Sequence, residues 1–232
     1  MSKHISIPSN TIIIGQTRSS KTHSFTYLFK QIAKEFSRGI VICSTAKLNF
    51  DYDFMDPEFV HDKYDEDIIK NAIEIQENEV KFCMEKYGEN DYKKHIRQMF
   101  IIIDDAIGVV KMENGSIFDE LFSKSRHLGI SCFILIQHIT KISPCVRVNS
   151  LYIGITKITD NNIDTVYNLM DGFESKKQFR AFLNKNCVNY QLIWCDKFNP
   201  YSTKKIKVLK FPKKKCQFKL LITATGVNQT SN

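Results

Sequence analysis

Residues 11–22 constrain this chain more than any other stretch, because they join a short apolar strand to a glycine-led loop and a helix. Ile12, Ile13 and Ile14 are three consecutive β-branched residues, a composition typical of a buried strand. They lead into Gly-Gln-Thr-Arg-Ser-Ser-Lys-Thr at positions 15–22, and residues 24–37 have a helical pattern. A strand, a loop and a helix in this order form the context in which a phosphate-binding loop occurs.

Positions 15–22 follow the phosphate-binding pattern G-x-x-x-x-G-K-[ST], except that Ser20 stands where the second glycine is expected. In such a loop, backbone N–H groups surround a phosphate and the helix N-terminus adds partial positive charge. The alternative interpretation is a chance glycine before Ser-Lys-Thr in an ordinary strand–helix turn. We predict that nucleotide is bound by Gly15, Gln16, Thr17, Arg18, Ser19, Ser20, Lys21 and Thr22.

Four loop positions have separate predicted roles. Lys21 is expected to reach the β- and γ-phosphates as a catalytic cation, and the Thr22 hydroxyl to bind Mg²⁺. Gly15 is expected where a side chain would obstruct the turn. A Cβ at Ser20 would crowd the phosphate, or cost about 1–2 kcal/mol if the residue has a positive φ.

A second motif, at residues 99–105, is an apolar strand that ends in two carboxylates. Asp104 is expected to hold the Mg²⁺ shell, and Asp105 to orient and deprotonate the attacking water. We expect this strand to lie beside the strand of the phosphate-binding loop, so that adjacent strand tips form one crevice. Acidic pairs also follow apolar runs at surface turns, so the prediction depends on the two motifs occurring together.

Gln137 follows another apolar run, at residues 130–136. Because polar residues at the carboxyl ends of parallel strands face the ligand crevice, Gln137 would sense the γ-phosphate or position water. The alternative is a glutamine that satisfies loop backbone groups.

Apolar strands alternate with helical patterns, which favours an α/β fold with a mostly parallel sheet sandwiched by helices. An antiparallel hairpin of residues 190–195 and 205–211, across 199–200, is expected at the C-terminal end. We predict one ATPase domain, 1–220, and a flexible polar tail, 221–232. Five core strands are predicted at 12–14, 40–43, 99–105, 130–136 and 151–155, with helices at 24–37, 65–87, 117–122, 161–170 and 176–183.

Length and composition bound the class of protein. The chain has 232 residues, 43% of them hydrophobic, which is enough for one substantial α/β domain. No stretch resembles a transmembrane span or a signal peptide, so we expect no membrane association. Seven cysteines with no C-x-x-C pair predict reduced thiols in an intracellular protein and no zinc site.

Positive charge is concentrated at the C-terminal end. After Asp196 there are nine lysines and no arginine, aspartate or glutamate, and removing them from the net charge of +8 leaves −1. A basic segment beside a near-neutral body indicates a polyanionic partner, either nucleic acid or an acidic protein. A solubilising tail is the alternative.

Four blocks together resemble a known family. They are the strand ending 101–105, the Ser-Arg-His-Leu-Gly-Ile-Ser block at 125–131, the strand ending in Gln-His at 134–138, and Pro-x-x-Arg-x-Asn at 144–149. In this order they are similar to the genome-packaging ATPases of large DNA viruses. This is the poxvirus-type branch of the FtsK–HerA superfamily, and the similarity covers residues 12–196.

The resemblance implies a RecA-like P-loop NTPase core that binds ATP and Mg²⁺. It implies a homo-oligomeric ring of about five or six subunits that moves double-stranded DNA into a capsid. A capsid or portal component is the implied docking partner, and the host-cell cytoplasm at the viral assembly site, or the virion, is the implied location.

Residue roles also follow from the resemblance. Lys21, Thr22, Asp104, Asp105 and Gln137 match the phosphate, metal, acidic and sensor positions of the family. Arg126 and Arg147 are both candidates for an arginine that reaches a neighbour's γ-phosphate, and each could equally be a surface ion-pair residue.

Two departures from the family pattern concern turnover. The family usually has glycine where Ser20 stands, and its second acid is often glutamate, one methylene longer than Asp105. Ser20 is therefore expected to slow turnover or to alter the way in which the loop binds nucleotide. Asp105 is expected to activate water more weakly or through a bridging water.

Two further functions remain open. A P-loop nucleoside or nucleotide kinase would use the same loop but needs an acceptor pocket and usually an arginine-rich lid, for which we find no convincing segment. A non-hydrolysing scaffold relative would keep the fold, and Ser20 is the main argument for it.

Overall fold

The computed structural model of the chain describes residues 4–49, 51–105, 113–198 and 205–222. Within these ranges the chain forms one eight-stranded sheet with helices on both faces. The strands are β1 (Asn10–Ile14), β2 (Arg38–Cys43), β3 (Val60–His61), β4 (Met99–Asp104), β5 (Ile130–Ile136), β6 (Tyr152–Ile155), β7 (Gln191–Asp196) and β8 (Ile206–Lys210). The α-helices are α1 (Lys21–Lys30), α2 (Ala46–Asn49), α3 (Glu66–Tyr87), α4 (Ile117–Lys124), α5 (Pro144–Val148), α6 (Asp160–Leu169) and α7 (Lys176–Asn186).

The strand order is β3-β2-β4-β5-β1-β6-β7-β8, and β1 to β6 pair in parallel. All six therefore end at one edge of the sheet, where the loops that follow β1, β4 and β5 meet. β7 and β8 are antiparallel to their neighbours, which confirms the predicted C-terminal hairpin. The mostly parallel α/β fold class is also confirmed.

Two predictions about the sheet are wrong. β4 does not lie beside β1, because β5 pairs with both strands and separates them. In register, Asp104 is level with Leu135, which is level with Ile13. The second error is a missed strand: β3, two residues long, adds a sixth parallel strand at the β2 edge and is too short to give a periodic signal.

Each face of the sheet buries a separate apolar core. One face packs against α3, α4, α6 and α7, and includes Phe118, Phe122 and Phe179. The other face packs against α1, the 52–59 segment and part of the C-terminal segment, with Phe25 and Phe29 at its centre. β1 contributes Ile12 and Ile14 to the first core and Ile13 to the second, which explains its unbroken run of isoleucines.

The helices follow local signals closely, with one correction. α3 begins after Asp65, whose side chain accepts a hydrogen bond from the Asp67 backbone N–H (3.0 Å), and ends at Gly88 with φ 77°. The predicted helix 24–37 is instead α1 followed by a 3-10 turn, Ala33–Glu35. The α-helix ends early because this turn directs Ile32 and Phe36 into the core.

No helix within the described ranges is long and apolar enough to cross a bilayer. Two expectations lie partly outside those ranges: the 199–200 turn of the hairpin, and residues 223–232 of the predicted tail.

Candidate nucleotide-binding site

The phosphate-binding loop leaves β1 at a point where there is no room for a side chain. A Cβ on Gly15 would lie 1.8 Å from Thr156 Oγ1 and 2.5 Å from Ser19 Oγ. Its N–H donates to the Ile136 carbonyl (2.9 Å), and the Gln16 N–H donates to the Lys157 carbonyl (2.7 Å). Gly15 is thus required by the close approach of neighbouring strand ends, as its position in the motif predicts.

Hydrogen bonds inside the loop hold its curvature. The Ser19 hydroxyl donates to the Gln16 carbonyl (2.6 Å) and lies 2.7 Å from the Thr156 hydroxyl. Thr156, the residue after β6, is buried and gave no signal in the sequence. Its role follows only from β6 lying beside β1, which the sequence does not reveal.

Ser20 has φ 63° and ψ 23°, in the left-handed region, directly before α1. This is the condition under which a serine in place of glycine was expected to cost free energy. Arg18, in the same loop, also has a positive φ of 60° and is exposed. Both residues keep a conformation that glycine adopts without penalty, so the loop is formed despite the substitution.

The two sequence motifs meet across β5. Thr22 Oγ1 donates to Asp104 Oδ2 at 2.7 Å, and Lys21 Nζ lies 3.2 Å from Asp105 Oδ1. Lys21 is buried, whereas about a third of the Asp105 side chain is exposed (34%). Asp105 has a φ of 49°, which marks the sharp turn that directs its carboxylate back toward the loop. The structure therefore brings together the residues that were predicted to bind phosphate and metal, Lys21, Thr22 and Asp104, and the residue predicted to activate water, Asp105.

Asp104 is buried in surroundings that fit a hydrated magnesium ion. Its Oδ2 accepts hydrogen bonds from Thr22 and from the Tyr52 hydroxyl (2.7 Å), whereas Oδ1 has no partner among the described residues. Burial raises the pKa of Asp104 to about 6, and the nearby Lys21 cation opposes that rise. A buried carboxylate oxygen without a donor, next to a threonine hydroxyl, matches the oxygen-rich shell that Mg²⁺ prefers.

Tyr52 is a site residue that the sequence analysis missed. It lies in the acidic and aromatic segment after β2, is buried, and donates to the same Asp104 oxygen as Thr22. The alternation of aromatic and acidic residues in that segment was the available signal, but it did not show which residue turned inward.

The remaining predicted residues lie at two different edges of the sheet. Gln137 follows β5 at the edge that carries the loop, and its side chain is half-buried. Arg126 precedes β5 and Arg147 precedes β6, so both lie at the opposite edge. Neither arginine has an ion-pair partner among the described residues, and neither contacts the loop of its own chain.

Three features define the P-loop NTPase class. They are the parallel sheet, the loop between β1 and α1, and the acidic end of β4, which one strand separates from β1. The chain belongs to the poxvirus A32 protein family, whose profile matches residues 2–193. The resemblance stated from the sequence blocks is thereby confirmed.

Individual proteins are similar to this chain in sequence or in fold. The chain is 28% identical over 191 residues to uncharacterized protein 075L of Invertebrate iridescent virus 6, covering 81% of this chain and 70% of that protein. The fold is similar to that of the genome packaging NTPase B204 of Sulfolobus turreted icosahedral virus 2 in complex with ATP-γ-S. That match has a TM-score of 0.58 at 17% identity, and covers 89% of this chain and 98% of B204. The pCW3 conjugation coupling protein TcpA matches with a TM-score of 0.61 at 13% identity, over 87% of this chain and 59% of TcpA.

Proposed function

We propose that this protein is an ATP-hydrolysing subunit of a viral genome-packaging motor, which moves double-stranded DNA into a capsid. The observation that carries the proposal is the contact of Lys21 and Thr22 with Asp105 and Asp104 at one edge of the sheet. Family membership and the similarity of the fold to that of B204, a genome packaging NTPase, support the packaging role. The other implied features, a ring of subunits, a capsid or portal partner and a viral assembly site in the cytoplasm, belong to the same proposal.

Binding of nucleotide would exchange partners within the site. Lys21 and Asp105 form an ion pair, so neither side chain is available for phosphate or water while they are paired. A triphosphate in the loop would draw the Lys21 ammonium to its oxygens and release the Asp105 carboxylate. The released carboxylate would then orient a water molecule and accept its proton during in-line attack on the γ-phosphate.

Thr22 and Asp104 would hold Mg²⁺, which neutralises charge on the β- and γ-phosphate oxygens when bound. Tyr52 would keep the Asp104 carboxylate in place through its hydrogen bond. Gln137, at the end of the strand between the two motifs, would sense the γ-phosphate.

The C-terminal segment 211–222 supplies a surface for the DNA backbone. It crosses α1, where its Lys214 carbonyl accepts from the Tyr27 hydroxyl (2.7 Å) and its Gln217 carbonyl accepts from Lys30 Nζ (2.9 Å). Because these contacts use carbonyl groups, the ammonium groups of Lys213 and Lys214 remain exposed. Lysines that are held in place on such a segment suit binding to the phosphates of duplex DNA, because phosphate contacts do not depend on the base sequence.

The decisive experiment is an ATPase assay with and without duplex DNA, together with a mass measurement of the assembly. We expect hydrolysis that DNA stimulates and that Lys21→Ala abolishes, with Lys34→Ala, an exposed lysine after α1, as the matched control. Full hydrolysis by Lys21→Ala would refute the proposal. Phosphorylation of a nucleoside acceptor would favour a kinase, and nucleotide binding without turnover in the assembled ring would favour a scaffold.

The DNA surface has its own test. Replacing Lys213 and Lys214 with glutamine should lower DNA affinity and reduce the slope of log K against log salt by about 2, at ~0.9 per phosphate contact. The same double change at Lys81 and Lys93, which are exposed elsewhere, should leave the slope unchanged. An unchanged slope in the first variant would place DNA on another surface.

A further inference from the structure

A group of aromatic side chains lies beside the phosphate-binding loop on the side away from Asp104. β7 is antiparallel to β6, and Ile155 pairs with Ile193, so the start of β7 lies at the edge that carries the loop. Tyr190 immediately precedes β7, and its carbonyl accepts from the Phe211 N–H (2.8 Å), which brings the end of β8 to the same place. His23 follows Thr22 in the first turn of α1.

These rings contact one another and are only half-buried. The His23 ring packs edge-on against Tyr190 with centroids 5.0 Å apart, and lies 5.2 Å from Tyr27. Tyr27 stacks on Phe211 at 5.8 Å. The His23 ring is also fixed by a hydrogen bond of 2.8 Å between Nε2 and the Pro212 carbonyl. We refer to His23, Tyr27, Tyr190 and Phe211 as the aromatic platform.

Backbone strain links Tyr190 to the nucleotide site. Four non-glycine residues have a positive φ within the described ranges: Arg18, Ser20, Asp105 and Tyr190 (φ 64°). The first three belong to the two nucleotide-binding motifs. An aromatic residue in this conformation is uncommon, and such strain tends to occur at ligand sites. The local fold therefore holds Tyr190 in a strained backbone conformation, which fixes the position of its ring.

The strand order determines the direction in which a bound nucleotide extends. Asp104 and Asp105 mark the γ-phosphate side, which faces β4. A nucleotide held in this way would extend its α-phosphate, ribose and base toward β6 and β7. Tyr190 lies there, just before β7, and His23 on α1 packs against it. Aromatic faces bind nucleobases by stacking, which favours the larger purine rings.

We propose that the aromatic platform is the nucleobase subsite and that it gives the protein a preference for purine over pyrimidine nucleoside triphosphates. This inference rests on the proposed function, because it assumes that the loop holds the phosphates. It assigns Tyr190 and His23 as the stacking residues, with Tyr27 and Phe211 supporting them from behind.

Calorimetric titration of the full chain with Mg-ATP, Mg-CTP and Mg-tripolyphosphate distinguishes the contribution of the base to the affinity from that of the phosphates. Tyr190→Ala should weaken ATP binding about tenfold and reduce the ATP-over-CTP preference, while tripolyphosphate binding stays unchanged. Tyr190→Phe keeps the ring face and should match the unmodified protein. His23→Ala should resemble Tyr190→Ala, and it decides the question if Tyr190→Ala does not fold.

The outcomes distinguish the two proposals. If Lys21→Ala retains binding of both ATP and tripolyphosphate, the proposed function fails. If Lys21→Ala loses both, but Tyr190→Ala and His23→Ala keep the full ATP-to-tripolyphosphate affinity ratio, only the aromatic platform is refuted. An equal affinity of the unmodified protein for ATP and CTP would refute the purine preference.

Discussion

Ser20 shows how one residue in an otherwise standard loop changes its energetics. Its left-handed backbone is needed for the loop to enter α1, and a Cβ in that conformation costs about 1–2 kcal/mol. The free energy of folding therefore carries a penalty at a residue that was predicted to contact the phosphate. The surrounding hydrogen bonds of Ser19 and Gly15 maintain the geometry in spite of it.

Ser20→Gly should increase the free energy of unfolding by about 1 kcal/mol, because glycine adopts this φ without strain. Urea unfolding without nucleotide measures the change. Thr17→Gly, in the same loop but without a positive φ, is the control and should lose stability because it adds freedom to the unfolded chain. A destabilised Ser20→Gly protein would mean that the serine side chain makes a compensating interaction.

Glu79 on α3 is the centre of a buried ion-pair group. It accepts from Arg38 Nη2 (3.1 Å) on β2 and from Arg97 Nη2 (2.6 Å) just before β4. Burial disfavours its charge, but the hydrogen bonds and positive charges of Arg97 and Arg38 outweigh burial and lower the pKa of Glu79. The group joins α3 to the amino ends of two strands of the sheet.

Glu79→Gln should lower the free energy of unfolding by about 3–5 kcal/mol at pH 7, because it removes the buried carboxylate that pairs with Arg38 and Arg97. Glu77→Gln, which removes a more exposed partner of Lys124, should cost no more than about 0.5 kcal/mol. Since the pKa of Glu79 is lowered on folding, its contribution is complete above pH 4.5 and is lost as the pH falls. Chemical unfolding measured from pH 7 to pH 3 should therefore show the free energies of unfolding of the unmodified protein and Glu79→Gln converging. A constant difference between them would mean that the charge of Glu79 is not the source of the stability.

At the scale of elements, the segment after β2 and the C-terminal segment 211–222 form a continuous link to Asp104. Phe218 stacks on Phe54 with centroids 4.4 Å apart, and the Leu220 N–H donates to the Phe54 carbonyl (2.8 Å). Two residues before Phe54, Tyr52 donates to Asp104. The basic segment and Asp104, the proposed magnesium ligand, are thus joined through one short run of chain.

Tyr52→Phe should shift the acidic limb of the basal ATPase profile to higher pH. The Tyr52 hydrogen bond is among the contacts that hold down the pKa of Asp104, which burial has already raised to about 6. Without it, the carboxyl group protonates at a higher pH and ceases to hold Mg²⁺ there. Tyr64→Phe, which loses no hydrogen bond to a described residue, is the control, and coincident profiles would show that Tyr52 does not act on Asp104.

Phe218→Ala should lower the free energy of unfolding by about 2 kcal/mol, since a half-buried ring loses part of the usual 3–5 kcal/mol. It should also reduce the stimulation of hydrolysis by DNA while leaving basal hydrolysis in place, because the lysines beside it lose their fixed position. Leu221→Ala, at a side chain that is 95% exposed, should change neither quantity. Undiminished stimulation by DNA in Phe218→Ala would show that the segment 211–222 does not take part in DNA binding.

The sequence predicted the elements whose signals are local and missed the features that depend on strand order. The apolar runs of β1, β4 and β5, and the cap at Asp65, lie within single stretches of chain, so periodicity and capping rules identify them. Three other features bring together residues that are distant in the chain. They are the insertion of β5 between β1 and β4, the close approach of Thr156 to Gly15, and the hydrogen bond of Tyr52 to Asp104. No local pattern specifies such pairings.

For the whole molecule, the positions of Arg126 and Arg147 indicate that a neighbouring subunit would complete the catalytic site of the proposed motor. β5 has seven residues, so at ~3.3 Å per residue its two ends are about 20 Å apart, too far for Arg126 to reach the nucleotide of its own chain. Arg147 precedes β6 at the same edge. In the proposed motor, Arg126 or Arg147 would therefore act from a neighbour whose amino edge faces this carboxyl edge. Head-to-tail contacts of this kind close into a ring when the rotation between subunits allows it.

Mixing defective subunits tests this arrangement and selects between the two arginines. The one that acts in trans should lower hydrolysis by about 10³–10⁵-fold when replaced by alanine, and the other should have little effect. Subunits carrying that change keep Lys21, and Lys21→Ala subunits keep the arginine, so a mixture contains competent interfaces that neither protein has alone. In a 1:1 random mixture about a quarter of the interfaces are competent, and roughly that share of the normal rate should return after subunit exchange. If hydrolysis in the mixture stays at the level of the separate variants, while mass measurement shows mixed rings, neither arginine is donated by a neighbour and the site is complete within one chain.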